Sequence, residues 1–338
     1  MPEKYHVAIV GATGAVGIEL LRVLERRDFP VADLRLLASR RSAGKKLTYR
    51  SQDYEVAALD ADSFRGIDLV FFSAGSETAR EFAPIAQRAG AVVIDNSSAF
   101  RMNAEVPLVI PEVNPDDVKA HRGIIANPNC TTAVALMALF PLHRAFGLRR
   151  VFAASYQAVS GTGTRAIEEL KQQVEASVGG SEIRPEIYPH PIAFNVLPHV
   201  DSFLENGYTQ EEMKLQNEGR KMMHLPGFRA SVTCVRVPVY RAHSVALSAE
   251  FERPVSLEKA REVLAKAPGL DLVDEPHANR YPTPLDAAGK DNCQAGRLRI
   301  DCALENGLAL WVAGDQLLKG AALNAVQIAE LLPAPNEA

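Results

Sequence analysis

One of the four cysteines, at 130, 234, 293 and 302, stands where the surrounding residues favour a reactive thiolate. Asn127-Pro128-Asn129-Cys130-Thr131-Thr132 runs directly into the apolar stretch AVALMALFPL. Asn129 is a good helix N-cap, which puts Cys130 in the first turn. The unpaired N–H groups and positive dipole end there lower a thiol pKa, and they can stabilise an oxyanion on a carbonyl attacked by sulfur. That is the chemistry of covalent catalysis on an aldehyde or acyl group. The other three cysteines read as buried and inert. None forms a C-x-x-C pair or has a zinc-type neighbour, so no metal is expected.

A second signal lies at the start of the chain. Gly11-Ala12-Thr13-Gly14-Ala15-Val16-Gly17 follows an apolar run and opens an amphipathic one. Glycines let backbone approach a pyrophosphate, and the helix start supplies N–H groups. The spacing G-x-x-G-x-x-G is a relative of the dinucleotide fingerprint, with Gly11, Thr13, Gly14, Ala15, Val16 and Gly17 as the candidate contacts. The alternative is a purely structural tight turn. At the end of the next strand an NAD site usually carries an acidic residue. Here Ser39-Arg40-Arg41-Ser42 stands instead, with Lys45 close by, which suits a 2′-phosphate and hence NADP. The alternative there is a solvated basic loop.

Elements must hold these residues. Strands are expected at 6–10, 34–39, 69–75, 91–95 and 124–126, with helices near 14–27 and 77–89. That alternation indicates a parallel, Rossmann-like sheet with helices on both faces. From about 149 the runs lengthen: 150–159, 230–239, 243–251, 297–304 and 308–314, the last two as a hairpin around Glu305-Asn306-Gly307. Helices at 164–176, 210–223 and 256–266 cover a mixed or antiparallel sheet, and 178–208 is a proline-bearing excursion. The fold class is therefore α/β with a second α+β domain. The division is 1–128, completed by a final helix at 316–332, and 129–315.

Length and composition fit this. A chain of 338 residues, 47% hydrophobic and 23% charged, can build two ordinary cores without disulfide or metal support. A net charge of −4 argues against nucleic acid or a membrane surface as the main partner. The opening residues enter a strand without an apolar leader, and no apolar run reaches membrane-spanning length, so a cytoplasmic location is expected.

Five motifs, in order, make the chain resemble the aspartate-semialdehyde dehydrogenase family: GATGAVG (11–17), DNSSAFRM (95–102), NPNCTT (127–132), SYQAVSGTG (155–163) and RVPVYRAHS (236–244). The similarity runs from about residue 5 to the closing GDQLLKGAALNAVQIAELL (314–332). It implies NADPH-dependent, reversible reduction of L-aspartyl 4-phosphate to L-aspartate 4-semialdehyde with release of phosphate. That reaction belongs to the biosynthesis of lysine and diaminopimelate, threonine, methionine and isoleucine. It casts Cys130 as the nucleophile that forms an acyl-thioester, His243 as the general acid/base, and Gln157 as the group that positions substrate.

Arg236 then holds the substrate carboxylate and Glu211 its ammonium. The adjacent Glu212 leaves that register open. Lys214, Arg101 and Asn129 hold phosphate. Ser160, Gly161 and Gln316 touch the cofactor, and the second domain forms a homodimer, sometimes paired into a tetramer. Read without the resemblance, Glu211 and Lys214 are a surface ion pair, Arg101 is solvated and His243 is structural. The rivals are an N-acetyl-glutamyl-phosphate reductase and a non-catalytic dinucleotide-binding paralogue.

Overall fold

The computed structural model describes residues 4–333. The chain divides into two compact units: the part up to Asn129 with the stretch from Ala321, and Cys130–Gly320. Gln316 therefore lies in the second unit, although the sequence assigned the segment from 316 onward to the first.

The first unit contains β1 (Tyr5–Val10), α1 (Ala15–Arg26), β2 (Val31–Ala38), β3 (Lys46–Tyr49), β4 (Gln52–Ala58), β5 (Leu69–Phe72), α2 (Ser76–Arg88), β6 (Val92–Asp95) and β7 (Ile124–Ala126). The sheet order is β3-β4-β2-β1-β5-β6-β7. Strands β1 and β5 are apolar and almost wholly buried, as strands covered on both faces must be. Every pairing is parallel except β3 with β4. Those two strands were not foreseen, because their residues are mostly polar and half-exposed. They turn through Arg50 and Ser51, both at positive φ without a glycine to announce it.

The second unit contains α3 (Cys130–Phe146), β8 (Leu148–Gln157), α4 (Thr164–Val178), α5 (Gln210–Met222), β9 (Arg229–Arg236), β10 (His243–Phe251), α6 (Leu257–Ala265), β11 (Leu270–Leu272), α7 (Pro284–Ala287), β12 (Cys293–Ile300) and β13 (Gly307–Gly314). Its sheet order is β11-β12-β13-β10-β8-β9. Helix α3 is nearly all apolar and buried all round, packed on the central strands with α5 and α6. The hairpin expected around Glu305-Asn306-Gly307 has a longer loop: β12 ends at Ile300, and Asn306, at φ +50°, ends the loop before β13. The final segment is a π-helical turn (Leu318–Ala322) and then α8 (Leu323–Ala329), shorter than the single helix expected over 316–332. Helix α8 packs within the first unit on α1 and β6.

Strand direction gathers the second unit's chemistry at one end of its sheet. Parallel β8 and β9 finish side by side with Gln157 opposite Arg236. Antiparallel β10 begins there with His243, opposite Gly314 at the end of β13. The alternation of strand side chains then puts Ser155, Gln157, Cys234 and Arg236 on one buried face.

Candidate active site

In the first unit the glycine turn joins β1 to α1. Gly11 has φ +86°, and a Cβ there would lie 2.3 Å from the Ser73 carbonyl oxygen. A Cβ on Gly17 would lie 2.3 Å from the Gly11 carbonyl oxygen, so only glycine lets the helix pack this close. Gly14 precedes α1 and no side chain caps the helix. A bare turn against an uncapped helix start fits a pyrophosphate. After β2 the chain makes a 3₁₀ turn, Arg40–Ser42, with Ser39, Arg40 and Arg41 exposed and Ser42 buried.

Arg101 is not solvated. It is 7% exposed and donates through Nε to the Asn127 carbonyl (2.9 Å) and through Nη2 to the Asn96 carbonyl (2.8 Å). Asn127 donates to Asn96 Oδ1 at 3.0 Å and accepts from Asn324 at 2.7 Å. These bonds fix the loop that ends in Asn129, itself buried.

In the second unit Cys130 opens α3 and is partly exposed, whereas Cys234 and Cys293 are buried. Cys302, expected to be buried, is exposed in the loop after β12. Burial, with Glu211 nearby, pushes the Cys234 thiol up to about 12, which keeps it protonated and inert. Gly320 packs directly on Cys130: a Cβ there would come within 2.7 Å of the cysteine Cβ.

His243 is fully buried. Its Nδ1 accepts the Ala158 N–H at 3.0 Å, so in the neutral ring the proton sits on Nε2, which has no partner. Burial, and then the Arg236 charge, push its pKa down to about 3. The site thus holds a neutral imidazole with one N–H to offer. Arg236 donates from Nη1 to the Ala158 carbonyl at 2.7 Å, while its buried Nε has no partner. Both groups face Gly161, where a Cβ would lie 3.0 Å from Arg236 Nη1 and 3.1 Å from His243 Nε2. Only a residue without a side chain packs this close to the two groups, each of which keeps one buried donor unsatisfied.

The carboxylate pair also departs from the simple reading. Glu211 is 7% exposed, not on the surface, and its Oε1 accepts from Gln157 Nε2 (3.1 Å) and Thr131 Oγ1 (3.4 Å). Lys214 donates to Glu211 at 2.8 Å and to Asp201 at 2.9 Å. Burial works against the Lys214 charge, but Glu211 and then Asp201 outweigh it and raise its pKa. Glu212 closes a capping box with Thr209 and accepts the Cys234 N–H at 2.9 Å. Both of its oxygens are thereby engaged with backbone, whereas Glu211 meets the side chains of Gln157 and Lys214. The signal was in the sequence, since Thr209-x-x-Glu212 is a capping-box pattern.

Asp201 was missed because it lies in the irregular excursion, at φ +70°, with no motif around it. Ser160 and Gln316 are both buried and joined by a hydrogen bond from Gln316 Nε2 to Ser160 Oγ. Among the described residues no group of three or more His, Cys, Asp or Glu could hold a metal ion. No described helix is long and apolar enough to cross a membrane.

Comparisons with known proteins agree with this division. Residues 6–121 match the semialdehyde dehydrogenase NAD binding domain, and residues 139–319 match the semialdehyde dehydrogenase dimerisation domain. An aspartate-semialdehyde dehydrogenase of Aquifex aeolicus is 53% identical over 332 residues, 97% of this chain and 98% of that protein. Among solved structures, aspartate semialdehyde dehydrogenase II of Vibrio cholerae, complexed with ASA, superposes with a TM-score of 0.95. It is 43% identical, with 98% of each chain covered. The aspartate semialdehyde dehydrogenase of Candida albicans, solved with NADP, has a TM-score of 0.75 and 25% identity, covering 98% of this chain and 99% of that one.

Proposed function

This chain belongs to the aspartate-semialdehyde dehydrogenase family, and on that premise we propose that it interconverts L-aspartyl 4-phosphate and L-aspartate 4-semialdehyde with NADP(H), through a thioester on Cys130. The observation that carries the proposal is the pair of buried, unpartnered donors His243 Nε2 and Arg236 Nε, on side chains packed against Gly161, in the same unit as Cys130.

In the oxidative direction the Cys130 thiolate bonds to the aldehyde carbon and the carbonyl π electrons move to oxygen. His243 Nε2–H donates to that oxyanion, a role that suits a ring whose other nitrogen is already occupied as acceptor. The bound dinucleotide supplies the hydride acceptor. Phosphate then attacks the thioester carbonyl, the C–S bond breaks, and Cys130 leaves as thiolate. Reduction runs the same steps backwards: His243 Nε2–H holds the tetrahedral oxyanion by the same hydrogen bond until the carbonyl re-forms and the C–S bond breaks, releasing the Cys130 thiolate. The turn at Gly11, Thr13, Gly14, Ala15, Val16 and Gly17 would hold the pyrophosphate, and Ser39, Arg40, Arg41 and Ser42 the 2′-phosphate. Ser160 and Gly161 are assigned to the nicotinamide side, and Arg101, Asn129 and Lys214 to phosphate. Gln157 orients the substrate.

The charge balance favours aspartate over an N-acetylated homologue. Glu211 and Asp201 together outnumber Lys214 by one negative charge, which suits a free ammonium, while Arg236 suits a carboxylate. An exposed sheet face with Phe152 and Tyr156 supports a homodimer, and thiols without disulfides support a cytoplasmic location.

The test is a spectrophotometric assay of cofactor reduction with phosphate and either aspartate semialdehyde or N-acetylglutamate semialdehyde, each with NADP and NAD. Turnover restricted to the acetylated substrate would overturn the substrate assignment, and equal efficiency with NAD would overturn the NADP preference. Cys130→Ser should lower kcat at least about a thousandfold and abolish the covalent acyl adduct seen by mass spectrometry.

A further inference from the structure

Gln316 is 2% exposed, and both ends of its amide are engaged within the second unit. Its Oε1 accepts the Ala242 N–H at 2.8 Å and its Nε2 donates to Ser160 Oγ. Ala242 has φ +72°, in the left-handed region that a Cβ disfavours, and it is fully buried against Ala287 and Ala313. The next residue is His243. The preceding one, Arg241, donates from Nε to Asp315 Oδ2 at 2.6 Å. Asp315 is itself fully buried and accepts the Gly289 N–H at 2.6 Å. Two consecutive side chains leaving β13 therefore grip the two consecutive residues that lead into β10. The other anchor, Ser160, precedes the Gly161 that lies against the His243 ring.

We propose that Gln316, seconded by Asp315, is a positioning residue that holds Ala242 in its left-handed conformation and so keeps His243 seated on the Ala158 N–H. The bent backbone at Ala242 aims the ring, and a relaxed Ala242 would swing it off that N–H. This rests on the reading of His243 as the hydrogen-bond donor to the substrate oxyanion. It differs from the role that the resemblance gives Gln316, a contact to the dinucleotide.

The experiment combines steady-state kinetics with amide exchange. Gln316→Ala should lower kcat roughly tenfold and leave each KM, including that for NADP, within about twofold. The Ala158 amide should exchange about tenfold faster, without any turnover being needed to see it. Adding Ala242→Gly should recover about fivefold in kcat, because glycine holds positive φ unaided. Gln316→Glu should keep kcat within about threefold, since a carboxylate still accepts from Ala242 and the Ser160 hydroxyl can turn to donate.

That last variant carries the test if Gln316→Ala does not fold. A raised KM for NADP with kcat retained would assign Gln316 to the cofactor and overturn the proposal. So would unchanged kcat and Ala158 protection in Gln316→Ala, no recovery with Ala242→Gly, or Gln316→Glu as impaired as Gln316→Ala. A parent enzyme inactive on aspartate semialdehyde would overturn the function, while the Ala158 exchange would still judge the clamp.

Discussion

Buried and neutral, His243 links the proposed catalysis to stability. Folded, its pKa is pushed down to about 3 by burial and Arg236, whereas in the unfolded chain it returns to about 6.5. Between those values the unfolded state binds the extra proton, so lowering the pH favours unfolding, and the loss is complete only below the folded value. His243→Gln keeps an acceptor for the Ala158 N–H and removes the titration. Over roughly pH 4.5 to 6 the parent should lose about 1.4 kcal/mol of stability per pH unit more than this variant, measured by urea unfolding. His121 and His143 are shifted the same way by burial, but they are present in both proteins, so the difference isolates His243. Equal slopes would mean that His243 is not held neutral.

At the scale of elements, the site exists because two parallel strands end where an antiparallel one begins, and because the turn after β8 folds back over them. Ala158 is the pivot: its N–H holds His243 and its carbonyl holds Arg236. Gly161 packs against both side chains, and its φ is not in the left-handed region, so alanine is conformationally allowed there. Gly161→Ala therefore tests space alone. It should lower kcat/KM by about a hundredfold while shifting the thermal midpoint by only a few degrees. A variant as active as the parent would show that the placement of His243 and Arg236 against Gly161 takes no part in the reaction. Much of this was legible from local pattern: β10 spans 243–251 as read, and Cys130 opens its helix. Strands β3 and β4 were not, because their residues are mostly polar and half-exposed and show no apolar alternation.

Across the whole molecule, the second unit's sheet is covered by helices on one face, while the other presents Phe152, 46% exposed, and Tyr156, whose ring lies tilted against Trp311 with centroids 5.1 Å apart. An aromatic sheet face of this kind is an interface in waiting. Phe152→Lys should convert the proposed dimer to monomer in sedimentation velocity with little change in unfolding midpoint, since the side chain is already half in solvent. A variant that stays dimeric would place the interface elsewhere.

The residue-to-residue sequence determined what neighbours along the chain can encode: the glycine turn, the helix that Cys130 opens, the capping box at Thr209 and Glu212, and the order of the elements. These are matters of backbone conformation and local hydrogen bonding. Tertiary structure alone decided which groups are desolvated and who partners them. Arg101 became buried on backbone carbonyls, Glu211 became the shared acceptor of Gln157, 54 residues away, and Gln316 reached Ser160 across 156 residues. Protonation follows from burial and partners, so neither the neutral state of His243 nor its clamp could be read before the chain had closed on itself.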